Sequence, residues 1–161
     1  MAVMLIKSNN NLKNLVNYIN DNERHKGEIL YCNGIGIDPQ NAITDMELCK
    51  YAYDKGADRG AKHIVVSLEK GEEELLDVHE VCTVANNIAG VIYSNTGCQL
   101  AYAVHGNTDK LHIHYAVNSV RIDNGHKIQI NRADTINMKK EISMILGEHG
   151  LKPVKFESKN M

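Results

Sequence analysis

The stretch His105-Gly-Asn-Thr-Asp-Lys-Leu-His112-Ile-His114-Tyr-Ala-Val-Asn118 decides how the chain is read. On an extended strand residues two apart share a face, so His112 and His114 point one way with Asn118. Ile113, Tyr115 and Val117 then point the other way. His105 closes the preceding apolar run from Gln99 to Val104, and Gly106-Asn107-Thr108-Asp109 is turn material. A hairpin through that turn brings His105 beside His112 and His114. Three converging imidazoles make a candidate divalent-metal site. The bland alternative is a set of surface histidines, since most histidines hold no metal. The trio, with Asp109 and Asn118 close by, favours the site. Taken alone, this chemistry specifies a metal but no substrate.

Composition bounds the rest. The chain has 161 residues and 43% apolar content, enough for one domain with a real core. Its four cysteines (Cys32, Cys49, Cys82, Cys98) have no C-x-x-C spacing and read as buried thiols of a reducing compartment, hence a cytoplasmic protein. No apolar run reaches membrane-spanning length, and no membrane insertion is expected. The formal charge of −2 argues against indiscriminate nucleic-acid binding, but the charge is uneven. Residues 1–120 carry 10 Lys and Arg against 15 Asp and Glu, whereas residues 121–161 carry eight against five. That later basic segment (Arg121, Lys127, Arg132, Lys139, Lys140) is either a path for a phosphate backbone or a solvated helix face.

Apolar periodicity extends the reading outward. Met1 to Lys7 is a first strand, and Ser8-Asn9-Asn10-Asn11 supplies cap chemistry for a short helix through Leu12, Leu15, Val16 and Ile19. Tyr18 lies in its last turn. Glu23 to Gly36 reads as a short hairpin; its Gly34-x-Gly36 lacks the continuation of a nucleotide loop. Asp38-Pro39 opens a helix running from Ala42 through Lys55. Lys62 to Glu69 is a strand with His63, Val65 and Ser67 on one face, and the longest helix runs from Leu75 to Tyr93. Asn124-Gly125 signals a hairpin joining the histidine strand to Lys127–Ile130. A final helix spans Ala133 to His149, with Gly150 after its end. The sum is an α+β domain of two layers, a central antiparallel sheet flanked by helices. Residues 1–150 form the domain and 151–161 a tail.

At this point the motifs resemble those of relaxases, the mobilisation nucleases of plasmids and conjugative elements within the HUH endonucleases. His112-Ile113-His114 is similar to the histidine–hydrophobic–histidine of the third motif, which runs from His105 to Asn118 and on through Ser119-Val120. Asn17-Tyr18-Ile19 resembles the first motif, Lys62-His63-Ile-Val-Val-Ser67 the second, and Asn124-Gly125-His126-Lys127 the segment after the third. The resemblance covers roughly residues 1–150.

The resemblance implies metal-dependent nicking and rejoining of single-stranded DNA at a transfer origin. His105, His112 and His114 would hold the metal, Mn2+ or Mg2+ first, with Zn2+, Ni2+ or Co2+ also accommodated by imidazoles. Tyr18 would be the nucleophile and form a 5′-phosphotyrosine, with Asp109 and Asn118 assisting. Ser67, Arg121, Lys127 and Arg132 would contact DNA. Glu23-Arg24-His25-Lys26-Gly27 lacks the threonine that follows the tyrosine in the family, and Tyr31 is the second candidate nucleophile. Implied partners are origin DNA, accessory mobilisation proteins and a secretion coupling protein. The chain would be a minimal relaxase, a truncated one, or a nuclease domain used alone. Two alternatives stay open. One is a rolling-circle replication initiator, which usually places its tyrosine after the histidines. The other is a non-catalytic DNA-binding or regulatory module on the same fold.

Overall fold

Alternation in the histidine stretch becomes one central strand of a sheet. The computed structural model describes residues 1–21, 29–106 and 110–156. In chain order the elements are β1 (Val3–Asn9), α1 (Leu12–Asn20), β2 (Ile29–Ile35), α2 (Ala42–Ala52), β3 (Ala61–Ser67), α3 (Val78–Thr96), β4 (Leu100–His105), β5 (His112–Asn118) and α4 (Arg132–Glu148). The five strands lie in the order β1-β3-β5-β4-β2 and every neighbouring pair is antiparallel. This is the α+β architecture with a central antiparallel sheet and flanking helices.

Period two sorts the strand residues onto two faces. Ile64, Val66, Tyr102, Val104, Ile113, Tyr115 and Val117 share one buried cluster with Val84, Ile88 and Ile92 of α3 and Met138, Ile142 and Leu146 of α4. Tyr115 is wholly buried, and its hydroxyl donates to the Ala85 carbonyl at 2.8 Å, so the ring adds apolar area without leaving an unmet polar atom. On the opposite face Ala61, Ala101 and Ala116 form a floor of small side chains. Leu12, Leu15, Val16 and Ile19 of α1 and Met46 of α2 settle on it. A floor of alanines lets α1 approach the strands closely, which matters for Tyr18.

Capping fixes the helix ends. Asp77 and Glu80 make a reciprocal capping box at α3, and Asn131 and Asp134 do so at α4. Gly97 ends α3 in the left-handed region at φ 68°, and the Arg121 guanidinium lies where a Cβ would project, so both strain and contact require glycine there.

Two sequence expectations change, the strand after Asn124-Gly125 and the burial of the cysteines. The Asn124-Gly125 turn forms with Gly125 at φ 72°, but Lys127–Ile130 is not a strand; only an isolated bridge joins Val120 to Lys127. The reason is topological. Strand β5 is already flanked by β3 and β4, so it has no free edge for a third partner. Of the Glu23–Gly36 segment the described part is edge strand β2, paired with β4; the rest of the expected hairpin, within residues 22–28, lies outside the described residues. All four cysteines are free thiols, yet only Cys98 is buried and Cys32, on the β2 edge, is exposed. Beyond residue 150, Leu151 and Val154 are buried, and Val154 bridges to Ala2 in parallel. Among the described residues no helix is long and apolar enough to cross a membrane.

Candidate metal centre and nuclease site

The β4–β5 hairpin pairs His105 directly with His112, and His114 follows on the same face. Ring centroids are 5.4 Å apart for His105–His112, 4.4 Å for His105–His114 and 4.9 Å for His112–His114. One ligating nitrogen from each lies within 4.8 Å of the others, close enough to share one ion. His105 is fully buried, His114 is 7% exposed and His112 is half-buried.

Hydrogen bonds to backbone carbonyls select the tautomers of His105 and His112. Nε2 of His105 lies 2.8 Å from the Ile19 carbonyl, which can only accept, so Nε2 carries the proton and Nδ1 carries the lone pair. Nδ1 of His112 lies 3.0 Å from the Lys110 carbonyl and donates to it, leaving the lone pair on Nε2. Nδ1 of His114 lies 2.8 Å from Nε2 of His63 on β3. Neutral imidazoles with outward N–H groups are the donor set a divalent transition metal takes, so these residues fit such an ion.

The Ile19 carbonyl belongs to the last turn of α1, where helix carbonyls lack intrahelical partners. Its bond to His105 pins the end of α1 to the site. Tyr18, one residue earlier, packs edge-on against His114 with centroids 6.0 Å apart. The helix ends cleanly there, with the Asp21 N–H donating to the Tyr18 carbonyl.

Other sequence-derived candidates fall in different places. Ser67 pairs with His112 across β3–β5 and shares its face. Tyr31 pairs with Val104, so it faces the α3 side, where its hydroxyl donates to Asn86; the sheet separates it from the histidines. Asn118 is six residues along β5 from His112, about 20 Å away. It is fully buried there, donating to the Met46 carbonyl and the Gln99 side chain and accepting from the Ser119 N–H. It is a core hydrogen-bonding residue, and the structure does not bring it to the site. Arg121 and Lys127 lie beyond that same far end. Arg121 is tied to Asp123 and the Thr96 carbonyl, and Lys127 pairs with Asp58. Arg132 is exposed at the start of α4. Asp109 lies outside the described residues.

Sequence reasoning missed His63 as part of the cluster. It saw His63 on the Ser67 face, but only the β3–β5 register reveals that this face is the one His114 uses. Burial, with the Lys7 charge on β1 adding to it, holds the His63 imidazole below its ordinary pKa.

Comparison with known proteins adds an independent line. Residues 18–151 match the family model for the relaxase, MobA/VirD2-like nuclease domain. Solved structures are similar in fold. A MobM relaxase domain (MOBV; Mob_Pre), Mn-bound and in complex with oriT DNA of plasmid pMV158, superposes at TM-score 0.61 with 14% identity, covering 96% of this chain and 91% of that one. A structure described as the molecular basis of vancomycin resistance transfer in Staphylococcus aureus gives TM-score 0.63 and 12% identity, covering 98% of this chain and 100% of the other. No match was found among curated protein sequences.

Proposed function

The chain belongs to the relaxase family through its MobA/VirD2-like nuclease domain, a family of DNA endonucleases and strand transferases, and from that premise we propose that Tyr18 cuts single-stranded DNA at a transfer origin. The observation that carries the proposal is the packing of Tyr18 against His114, with its helix end fastened to His105.

When bound by His105, His112 and His114, a divalent ion supplies positive charge at a non-bridging phosphate oxygen. Mn2+ is the expected ion, since imidazoles favour it over Mg2+ and the similar MobM relaxase domain is Mn-bound. The Tyr18 Oη attacks phosphorus in line as its proton leaves. The bond to the 3′ oxygen breaks, that oxygen takes up a proton, and the 5′ phosphate stays on Tyr18. The reverse transfer rejoins a strand without another energy source. Ser67, which pairs with His112, is proposed to meet the strand near the cut. Asp109 is proposed to accept the tyrosine proton or to orient a histidine. Lys127 and Arg132 are proposed contacts for DNA further from the cut. Accessory mobilisation proteins and a secretion coupling protein are the proposed partners in the cytoplasm.

The test is strand cleavage of a labelled origin oligonucleotide with Mn2+, with and without chelator. Cleavage that needs the metal and leaves a free 3′ hydroxyl and a blocked 5′ end supports the reading. Release of a free 5′ phosphate would refute the covalent route and indicate direct hydrolysis.

A further inference from the structure

We propose that His63 is a positioning residue that holds the metal ligand His114 in its binding tautomer and orientation. The assignment rests on the reading of His105, His112 and His114 as the metal site, and extends it to a residue on a different strand.

The geometry is specific. His63 sits on β3 diagonally across from His114, because His63 pairs with Ala116 and Val65 pairs with His114. The rings stack with centroids 5.1 Å apart and an interplanar angle of 26°, and Nε2 of His63 lies 2.8 Å from Nδ1 of His114. Two proton placements satisfy that contact. If His63 donated, the neutral His114 would carry its proton on Nε2, and with Nδ1 held by that hydrogen bond neither nitrogen could ligate an ion. If His114 donates from Nδ1, its Nε2 keeps a lone pair for an ion shared with the other two histidines. Metal binding therefore requires His63 to accept.

The three ligands differ in what orients them. His105 and His112 donate to backbone carbonyls, Ile19 and Lys110, which no side-chain substitution removes. Of these three contacts, the one at His114 is made by a replaceable side chain. It is also the ligand against which Tyr18 packs, so a change in the angle of the His114 ring would reach the nucleophile as well. The same face continues from His63 to Lys7 on β1, which places this contact between the metal site and the open edge of the sheet.

The experiment is titration of the full chain with Mn2+ alone, by calorimetry and by the electron paramagnetic resonance signal of free Mn2+. It compares wild type, His63→Phe, His63→Gln and His112→Ala. Phe keeps a ring but has no acceptor; the Gln side-chain oxygen restores one near Nε2. The expected result is a loss of Mn2+ affinity of about 10- to 100-fold in His63→Phe, recovered to within a few-fold in His63→Gln. Saturating Mn2+ restores most of kcat to His63→Phe, and KM for the oligonucleotide is unchanged. Equal affinities of His63→Phe and wild type, with His112→Ala having lost the metal, would overturn the role of His63 alone. Wild type that binds no Mn2+, or His112→Ala that binds it normally, would bring down the metal reading and this assignment with it. A measurement on unmutated protein guards against misfolded variants. Loaded with diamagnetic Zn2+, the His114 Nδ1 proton should show a nitrogen–nitrogen coupling across the hydrogen bond to His63 Nε2. A His114 protonated on Nε2 instead would contradict the proposal.

Discussion

The two faces of the sheet come from the same strands and differ in every respect that matters for function. On the α3–α4 face, β5 contributes Ile113, Tyr115 and Val117, all buried in one apolar cluster. On the other face the alternate residues of the same strand are His112, His114 and Ala116. One set is closed over by two helices. The other is covered by α1 and α2 over the alanine floor and by the end of α1 at His105 and His114, and leaves Val3 and Leu5 of β1 exposed at 37% and 45%. A two-residue period thus gives one face to the core and the other to the proposed site, within about 3.3 Å along the chain. Substitutions on neighbouring residues should therefore separate the two properties.

The largest separation is expected on the open face. Tyr18→Phe or His112→Ala should lower the nicking rate by roughly 10³-fold or more, with the urea midpoint hardly moved. A substantial fall in midpoint with either change would mean that the faces are not independent. On the closed face, Ile113→Ala should cost about 2–5 kcal/mol in urea unfolding while the rate per folded molecule is retained. Tyr115→Phe tests the same face more gently. It removes the hydroxyl's bond to the Ala85 carbonyl, which keeps its helical partner, costing about 0.5–1.5 kcal/mol. The smallest effect belongs to the far end of the open face, at Asp58. Burial pushes its carboxyl up, but the Gly60 N–H and the charges of Lys50 and Lys127 outweigh that and hold it below the usual carboxylate range. A lowered folded-state value gives stability that is full above about pH 4 and is lost as pH falls through that lower value. Asp58→Asn should flatten that acid limb of the stability profile and leave stability near pH 7 to 9 with no such dependence.

The sheet face of the histidines was legible in the sequence because it depends on local alternation and one turn, both readable over 14 residues. What was not legible depends on register between distant strands. His63 and His114 are 51 residues apart, and nothing in either segment announces that they meet. Asn118 misled for the related reason that sharing a face does not mean sharing an end; a strand of seven residues is long enough to separate core from site. The Asn-Gly signal was read correctly as a turn, but the pairing across it stops at one antiparallel bridge, Val120 to Lys127, because local sequence does not reveal that both edges of β5 are taken. Tyr18 and Tyr31 were alternatives in sequence, and the sheet itself separates them: one lies on the histidine side and the other hydrogen-bonds to Asn86 on α3.

The most direct test of the account is to trap the covalent product. The 161-residue chain is incubated with Mn2+ and single-stranded origin DNA, digested, and the DNA-bearing peptide identified by mass spectrometry. The account predicts an adduct on Tyr18, absent after His112→Ala. An adduct on Tyr31 or on any other residue, or cleavage with no adduct while Mn2+ is bound, would contradict it.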